Sequence, residues 1–482
     1  MFFCAILAFP YTPFFTNFMK NIISSFFSLV ILTVLATPAF ADIIYVATNG
    51  DGSGGTSWAT AYKTVGKAID FAVSGDEIWI KAGTYKEGSQ LKMKNDVKIR
   101  GGFAGTEASV EERIVGQNET ILDGNNTHRV IYNDFPSASP LTAGAVLDSL
   151  TIANGKALST NGGGMYNSYA SPTVTNCTFS GNRASSSGAG MYNISSSPIV
   201  ANCTFSGNTD SYYGGGMYNY YASPTVINCT FSGNVAHSDG GGMFNYSCSP
   251  TLTNCTFSGN TASYNGGGMS NYYASPTVTN CTFSGNVASY GGGMHNYLNS
   301  SPKITNCILW DNTGGEIYND GSSPVVSYCV VKGDYTGTGN VSTDPLLASI
   351  GNYGGAVETM PVLTGSSARA AGATQAQVPS GVSIPTTDAI GQVRNTTKAC
   401  TIGAVEYFAV TAVTLSFSGN GATGGTAPSA ISGRSGITVT LPGTGTLVKT
   451  DYTLAGWNTN ATGTGTNYAA GAAYTIDRKS VV

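Results

Sequence analysis

Charge is scarce in this chain of 482 residues: 22 basic and 26 acidic residues make up a tenth of it and leave a net charge of −4. That balance gives no basic footprint for nucleic acid. Histidine is scarcer still, at three residues. No Cys-x-x-Cys pair or histidine cluster accompanies the cysteines, so the usual zinc-ligand spacing is missing and no metal site is expected among them. Between Asn161 and Asn312 the only charged side chains are Arg183, Asp210, Asp239, Lys303 and Asp311. None recurs at one position of neighbouring repeats, which leaves no paired acids and bases for cutting a polysaccharide. Strong helix formers are thin in the same stretch, where Gly, Ser, Thr, Asn and Tyr dominate.

What is present is repetition. Cys177, Cys203, Cys229, Cys255, Cys281 and Cys307 recur every 26 residues, five of them inside Asn-Cys-Thr-Phe-Ser-Gly-Asn. The period is too short for a pair of helices and fits one winding of a parallel β-solenoid. Each copy reads Gly-Gly-Gly-Met-Tyr-Asn or a variant, a short polar loop, Ser-Pro-Thr-Val-Thr-Asn-Cys-Thr-Phe, then Ser-Gly-Asn and a variable tip. Period-two alternation puts Cys177 and Phe179 on one face of a strand, with Val174 on the same side of the strand before it. The three-residue step from Val174 to Cys177 demands a corner, and Asn176 suits it because Asn tolerates the left-handed backbone. Its equivalents Asn202, Asn228, Asn254, Asn280 and Asn306 are expected to stack as a ladder. Pro172, Pro198, Pro224, Pro250, Pro276, Pro302 and Pro324 open the following strand, where a missing N–H costs least. Length changes fall in loops: Met269 to Met294 is one residue short, and the next loop restores the register.

Secretion would allow ten cysteines to pair. Stacked in register, however, their side chains run parallel and hold the Cβ atoms wider apart than a disulfide prefers, so a ladder of buried free thiols is expected. The Asn-Cys-Thr sequon is discounted because it recurs inside a strand for the structural reason just given. Tyr166, Tyr192, Tyr218 and Phe244 follow the inward Met by one position and are expected as a column on the outside. Tyr220, Tyr246, Tyr272 and Tyr297 make a second column in the adjoining turn. Such columns either bind sugar rings or a protein partner, or only stiffen the solenoid by ring stacking. No cofactor is expected. The loops at Asp51 and Asp123 are the alternative, as Ca²⁺ sites, but each brings one carboxylate and reads as an ordinary turn.

The ends differ in character. Residues 1–41 are apolar and finish in Ala39-Phe40-Ala41, a signal-peptidase pattern that predicts export, with Met19 as the cleaner start. Asp42 to Val46 reads as a strand. Thr64 to Val73 reads as a helix with Val65, Ala68, Ile69 and Ala72 on one face, placed to cap the solenoid. Most of the charge lies in the next coils, at Asp76, Glu77, Lys81, Lys86, Lys92, Lys94 and Arg100, and a charged cap face explains it.

Three resemblances extend this reading. Phe179-Ser-Gly-Asn182, its successors and the Gly-Gly-Gly-Met runs resemble the repeats of chlamydial polymorphic membrane proteins and related bacterial β-helices. That implies an all-β, right-handed parallel β-helix of the pectin-lyase-like kind, exported and often adhesive. Gly75–Tyr85 and Val97–Phe103 look like the opening coils of pectin-lyase-like proteins. Asp344-Pro-Leu-Leu347, Asn352-Tyr-Gly-Gly355 and Cys400-Thr-Ile-Gly-Ala-Val-Glu406 resemble a choice-of-anchor Q domain, with Arg394 and Glu406 read as structural. From Ala412, the segments Val439-Thr-Leu-Pro442, Tyr452-Thr-Leu-Ala-Gly-Trp-Asn458 and Gly463-Thr-Gly-Thr-Asn-Tyr468 resemble the Listeria-Bacteroides repeat, a small β-grasp-like module. Asp477–Val482 is read as a non-native tail beyond which the natural chain continues. The expected plan is therefore 1–41 extension and signal peptide, 42–140 cap and first coils, 141–343 repeat β-helix, 344–407 closing region, 408–476 Listeria-Bacteroides repeat and 477–482 tail.

The expected function is that of an exported cell-surface or extracellular β-helix, an adhesin or structural binding protein. Its partner would be a surface glycan or a protein of a host or neighbouring cell, and its hold on the outer membrane or cell wall lies in an anchor outside this chain. The rival is a polysaccharide lyase or glycoside hydrolase acting from the N-terminal coils, with Lys81 or Arg100 as candidate groups.

Overall fold

The computed structural model describes residues 41–407, 412–434, 438–443, 446–450, 456–460, 462 and 464–475. The expected signal peptide, up to residue 40, and the expected tail lie outside them. From Ile43 the chain winds into a solenoid whose strands pair only in parallel, each with its counterpart one turn away. Three long stacks result: an eleven-stranded sheet from Ile43–Val46 to Val325–Ser327, a ten-stranded sheet from Gly83–Tyr85 to Val330–Val331, and an eight-stranded sheet from Ile131–Asp134 to Ile317–Asp320. A fourth, five-stranded ribbon of dipeptides runs from Lys156–Ala157 to Thr261–Ala262. We call the first three the valine, phenylalanine and tyrosine sheets after the residues they carry.

The 26-residue period becomes strict register. Met191 lies opposite Met217 and Met217 opposite Met243 on the tyrosine sheet, Val200 opposite Val226 on the valine sheet, and Phe205 opposite Phe231 on the phenylalanine sheet. The inward residues of every winding are closed to solvent and join one continuous core. Phe179, Phe205, Phe231, Phe257 and Phe283 stack with centroids 4.5–4.7 Å apart and near-parallel planes, the spacing of neighbouring strands. The third glycine of each Gly-Gly-Gly is required by close approach: a Cβ on Gly216 would collide with the Gly242 carbonyl oxygen and with the Phe231 ring.

The corner is as expected. Asn176, Asn202, Asn228, Asn254, Asn280 and Asn306 all have φ of 51–55°. Their ladder is shorter than expected. Asn202 Nδ2 donates to Asn176 Oδ1 at 3.3 Å, Asn228 to Asn202 at 3.1 Å and Asn254 to Asn228 at 3.0 Å. It stops there because the segment after the solenoid folds back over the later corners. Asn280 Nδ2 turns to the carbonyls of Thr401 and Gly403, while Asn306 Oδ1 accepts from Ala373 N.

Two further ladders, longer and buried except at Asn319, were not anticipated. On the tyrosine sheet Asn133 donates to Asn167, and the chain of amides continues through Asn193, Asn219, Asn245, Asn271 and Asn296 to Asn319. After the phenylalanine sheet a second runs Asn182, Asn208, Asn234, Asn260, Asn286, Asn312. Each asparagine of this second ladder also donates to a main-chain carbonyl one turn back, as Asn208 Nδ2 does to Phe179 O at 2.9 Å.

The thiol ladder forms as expected and gains a member. Cys177, Cys203, Cys229, Cys255, Cys281, Cys307 and Cys329 are buried and unpaired, and the Cys203 main-chain N–H points at Cys229 Sγ, 3.4 Å away. Burial pushes the Cys203, Cys229 and Cys281 thiols well above their usual range.

The N-terminal end is closed by a helix, Val65–Phe71, with Thr64 as its cap and Val65, Ala68, Ile69 and Ala72 buried. Beyond the solenoid, short antiparallel pairs such as Ala412–Leu415 with Ile431–Arg434 surround a small core of Leu415, Val439, Leu441 and Trp457.

Three expectations follow. Replacing Asn219 with Ala strands the Asn193 donor and the Asn245 acceptor in the core, and should cost on the order of 3 kcal/mol, read as a lower thermal unfolding midpoint. At the corner, Asn228→Gly should be tolerated better than Asn228→Val, because only the latter meets the left-handed penalty of about 1–2 kcal/mol. In thiol titration without reductant, the folded protein should stay unreactive and the denaturant-unfolded protein should react at all of its cysteines.

Candidate functional site

The first aromatic column is not where the sequence puts it. Tyr192, Tyr218 and Phe244 do point away from the core, but they are only 7%, 9% and 4% exposed, and Tyr166 is half-buried. The variable tip folds over the sheet, and its Tyr213 ring lies 4.8 Å from Phe244. At the N-terminal end the Arg129 guanidinium covers Tyr132 and Tyr166 at 5.0 and 5.5 Å. Within the column the rings follow one another at 5.1–5.4 Å, so this set is a second, outer core. Burial pushes the Tyr192 and Tyr218 hydroxyls above their usual range, with neighbouring tyrosines adding to the effect.

The second column is the one that meets solvent. Tyr220, Tyr246, Tyr272 and Tyr297 are half-buried and stack at 5.0–5.1 Å. Beside them stand two rings that the sequence reading left inside a polar loop. Tyr221 and Tyr273 are 57% and 49% exposed and sit edge-on to Tyr220 and Tyr272. Their signal is the Asn-Tyr-Tyr-Ala run at 219–222 and again at 271–274. Both occupy left-handed backbone, φ 50° and 51°, which swings the second ring outward. A ribbon of hydroxyl-bearing aromatic edges thus runs along one flank, able to pack against flat apolar faces and hydrogen-bond at its rim.

Most of the N-terminal charges are engaged by the fold, although Lys81, a candidate group of the lyase reading, is not among those in ion pairs. Arg100 pairs with Glu77 at 3.2 Å and with Asp148 at 2.9 Å, while Arg113 reaches the same Asp148 at 2.7 Å and Lys98 reaches Glu77 at 3.0 Å. Burial opposes ionisation of Asp148, but hydrogen bonds from Arg113 and Asn176 outweigh it and hold the carboxyl below its usual value. Lys94 donates to the Asp70 and Ala72 carbonyls at the end of the helix, and Asp76 accepts from Val73 N. Asp51 caps Ser53 and Asp123 caps Asn125, as local turns do.

The corner between the valine and phenylalanine sheets is covered over the later coils. Thr230, Thr256 and Thr282 are buried where Thr178 and Thr204 are half-exposed. The covering contacts come from Glu358 O, Thr359 Oγ1 and Ala404 N. Arg394, fully buried, pairs with Glu406 at 3.0 Å and donates to the Thr401 and Gly403 carbonyls and to Asn254 Oδ1. It is an internal clamp.

Parallel windings, inward ladders and a helical cap define a right-handed parallel β-helix protein. Comparison with known proteins agrees: a family model for the right handed beta helix region matches residues 115–271 and 215–344. The Listeria-Bacteroides repeat domain model matches residues 414–481, so the chain is a β-helix protein carrying that repeat. Among solved structures, a crystal structure of pectate lyase Pel9A is similar at 14% identity with a TM-score of 0.47, covering 76% of this chain and 97% of its own. A search of curated proteins finds no match.

The two kinds of tyrosine should separate cleanly on substitution. Tyr218→Ala opens a cavity beneath the tip loop and should cost about 3 kcal/mol, whereas Tyr221→Ala should leave the unfolding midpoint unchanged within error.

Proposed function

We propose that this is an exported bacterial surface protein that binds without catalysing, using the tyrosine flank of its β-helix to hold a surface glycan or a protein on a host or neighbouring cell. The observation that carries this is the ribbon of half-buried Tyr220, Tyr246, Tyr272 and Tyr297 edged by exposed Tyr221 and Tyr273, on a rigid, nearly uncharged scaffold. Rings already held by their neighbours lose little freedom on binding. Arg100, one of the two groups that a lyase or hydrolase reading would recruit, supports the same view, since it is committed to two carboxylates.

In this reading residues 1–41 direct export, and 42–140 cap the helix. The windings of 141–343 resemble those of polymorphic membrane proteins. Residues 344–407 close the solenoid as a choice-of-anchor Q-like region, and the repeat that follows belongs to the part of the molecule facing the cell envelope. No cofactor takes part.

The test pairs attachment with turnover. The secreted form should adhere to a glycan array or to cells, and the combined Tyr220→Ala, Tyr221→Ala and Tyr246→Ala variant should lose at least tenfold in attachment. Pectin, alginate and glycosaminoglycans should yield no unsaturated or reducing ends. Turnover that disappears with Lys81→Ala or Arg100→Ala would establish an enzyme instead, and attachment unchanged by the tyrosine variant would leave those rings a structural role.

A further inference from the structure

The outer ring column is interrupted once. In register along the tyrosine sheet stand Tyr132, Tyr166, Tyr192, Tyr218, Phe244, Ser270, His295 and Tyr318. Rings touch their neighbours up to Phe244 and again from His295 to Tyr318, at 5.6 Å. Ser270 supplies no ring between them. The tips above form their own column of Ser187, Tyr213, Asp239, Asn265 and Tyr290. Tyr213 covers Phe244 and Tyr290 covers Tyr318, the latter at 5.1 Å. Between these two lids the tips carry only the short polar Asp239 and Asn265. Both omissions fall at the same height, and a cleft of about 380 Å³ opens there.

Its walls are the rings of Tyr272, Tyr297, Tyr290 and Tyr318, its floor is Ser270 and His295, and Asp239 and Asp320 stand at its sides. One oxygen of Asp239 is held by Asn265 N at 3.0 Å and Asn265 Nδ2 at 2.9 Å. His295 is 6% exposed and its Nδ1 has no hydrogen-bond partner among the described residues. Burial pushes its pKa down to about 4, so the ring is uncharged at neutral pH. His295 Nδ1 is itself closed to solvent, so the charged side chains offered to a ligand are the Asp239 and Asp320 carboxylates, and among the described residues no Lys or Arg lines the space.

We propose that this cleft is a binding site for one neutral sugar ring of a glycan. The tyrosine faces pack against its C–H surfaces, while the carboxylates and the Asn265 amide take its hydroxyls. Uronates, sialic acids and sulfated sugars would meet two carboxylates with no compensating cation. A compact organic cation fits less well, because the rings lean on one another as a lining, Tyr272 on Tyr297 at 5.0 Å and Tyr290 on Tyr318, instead of standing apart as a cage. The assignment rests on the non-catalytic binding role proposed above and gives that role a ligand class.

Ser270→Tyr supplies the test, because it restores the ring found at the same position of neighbouring windings and fills the cleft without disturbing the register. Calorimetric titration of the full secreted chain with cellohexaose, mannohexaose and chitohexaose should show binding to at least one. Hexagalacturonate and tetramethylammonium should neither bind nor displace it. Ser270→Tyr should weaken that binding at least 20-fold with an unfolding midpoint no lower than the parent's, and Tyr290→Ala, at an exposed ring, at least fivefold. The proposal is overturned if no neutral hexasaccharide binds, if tetramethylammonium or hexagalacturonate competes, or if Ser270→Tyr binds as the parent does. Should Ser270→Tyr bind normally while the triple tyrosine variant loses attachment, the cleft assignment falls and the tyrosine-flank reading stands. If neither changes attachment, both fall.

Discussion

A buried primary amide carries two donors and an acceptor, and in the core of this protein the partner that fits it best is another copy of itself one winding away. Asn193 accepting from Asn167 and donating to Asn219, each at 2.9 Å, is satisfied only if every winding has the same length and the same phase. A slip of one residue would place Tyr192 or Ile194 where the amide stood and leave its neighbours unpaired in an apolar interior, at a cost no surface contact recovers. Register in this solenoid is therefore enforced by polar groups, while the Phe, Val, Met and Cys stacks supply the buried area. Length variation is confined to loops for the same reason.

Ladders of this kind must end, and the ends show how polarity is managed. On the corner ladder the donors point to the N-terminal end, where Asn176 Nδ2 meets the Asp148 carboxylate at 2.9 Å. Its last free acceptor, Asn254 Oδ1, is approached by the Arg394 guanidinium. The ladder after the phenylalanine sheet points the other way and terminates on Glu316, which accepts from both the main-chain and side-chain nitrogens of Asn312. The ladder of the tyrosine sheet begins at Met93 N and ends on the Tyr335 hydroxyl. A carboxylate waits at the donor end of two ladders and a cation at the acceptor end of one, as with caps on a helix dipole. Several of the few charges near the repeats are thus structural terminators, which is why the scarcity of charge coexists with so many buried polar side chains.

Much of this was legible. The step from Val174 to Cys177 located the corner and its left-handed Asn176, in-register stacking anticipated free thiols, and apolar spacing located the helix that closes the end. Asn167 and Asn182 were equally visible as invariant letters of the repeat, yet their ladders went unread. Alternation tells which way a side chain points, and these amides point inward where a polar residue is not expected. The misplacement of Tyr192, Tyr218 and Phe244 has a related cause. Alternation correctly turned them away from the first core, but outward is not the same as exposed when a tip carrying Tyr213 folds across the sheet. The return of residues 344–407 over the later corners was beyond sequence reasoning, since contacts such as Arg394 to Asn254 join positions 140 residues apart through no shared pattern.

In an array built on sameness, the places that differ carry the information about use. A winding that obeys the repeat at every position is explained by stacking with its neighbours and needs no other reason for its residues. Ser270 breaks the ring column, the tips above it carry Asp239 and Asn265 in place of a covering ring, and the three coincide in space though they lie on different windings. Filling the gap with a ring, as neighbouring windings do, would add contacts of the kind that join Tyr218 to Phe244 at 5.1 Å. Leaving it empty forgoes that packing. A cost of that sort, borne at one winding and avoided at those beside it, is what a binding site looks like when the scaffold is otherwise uniform.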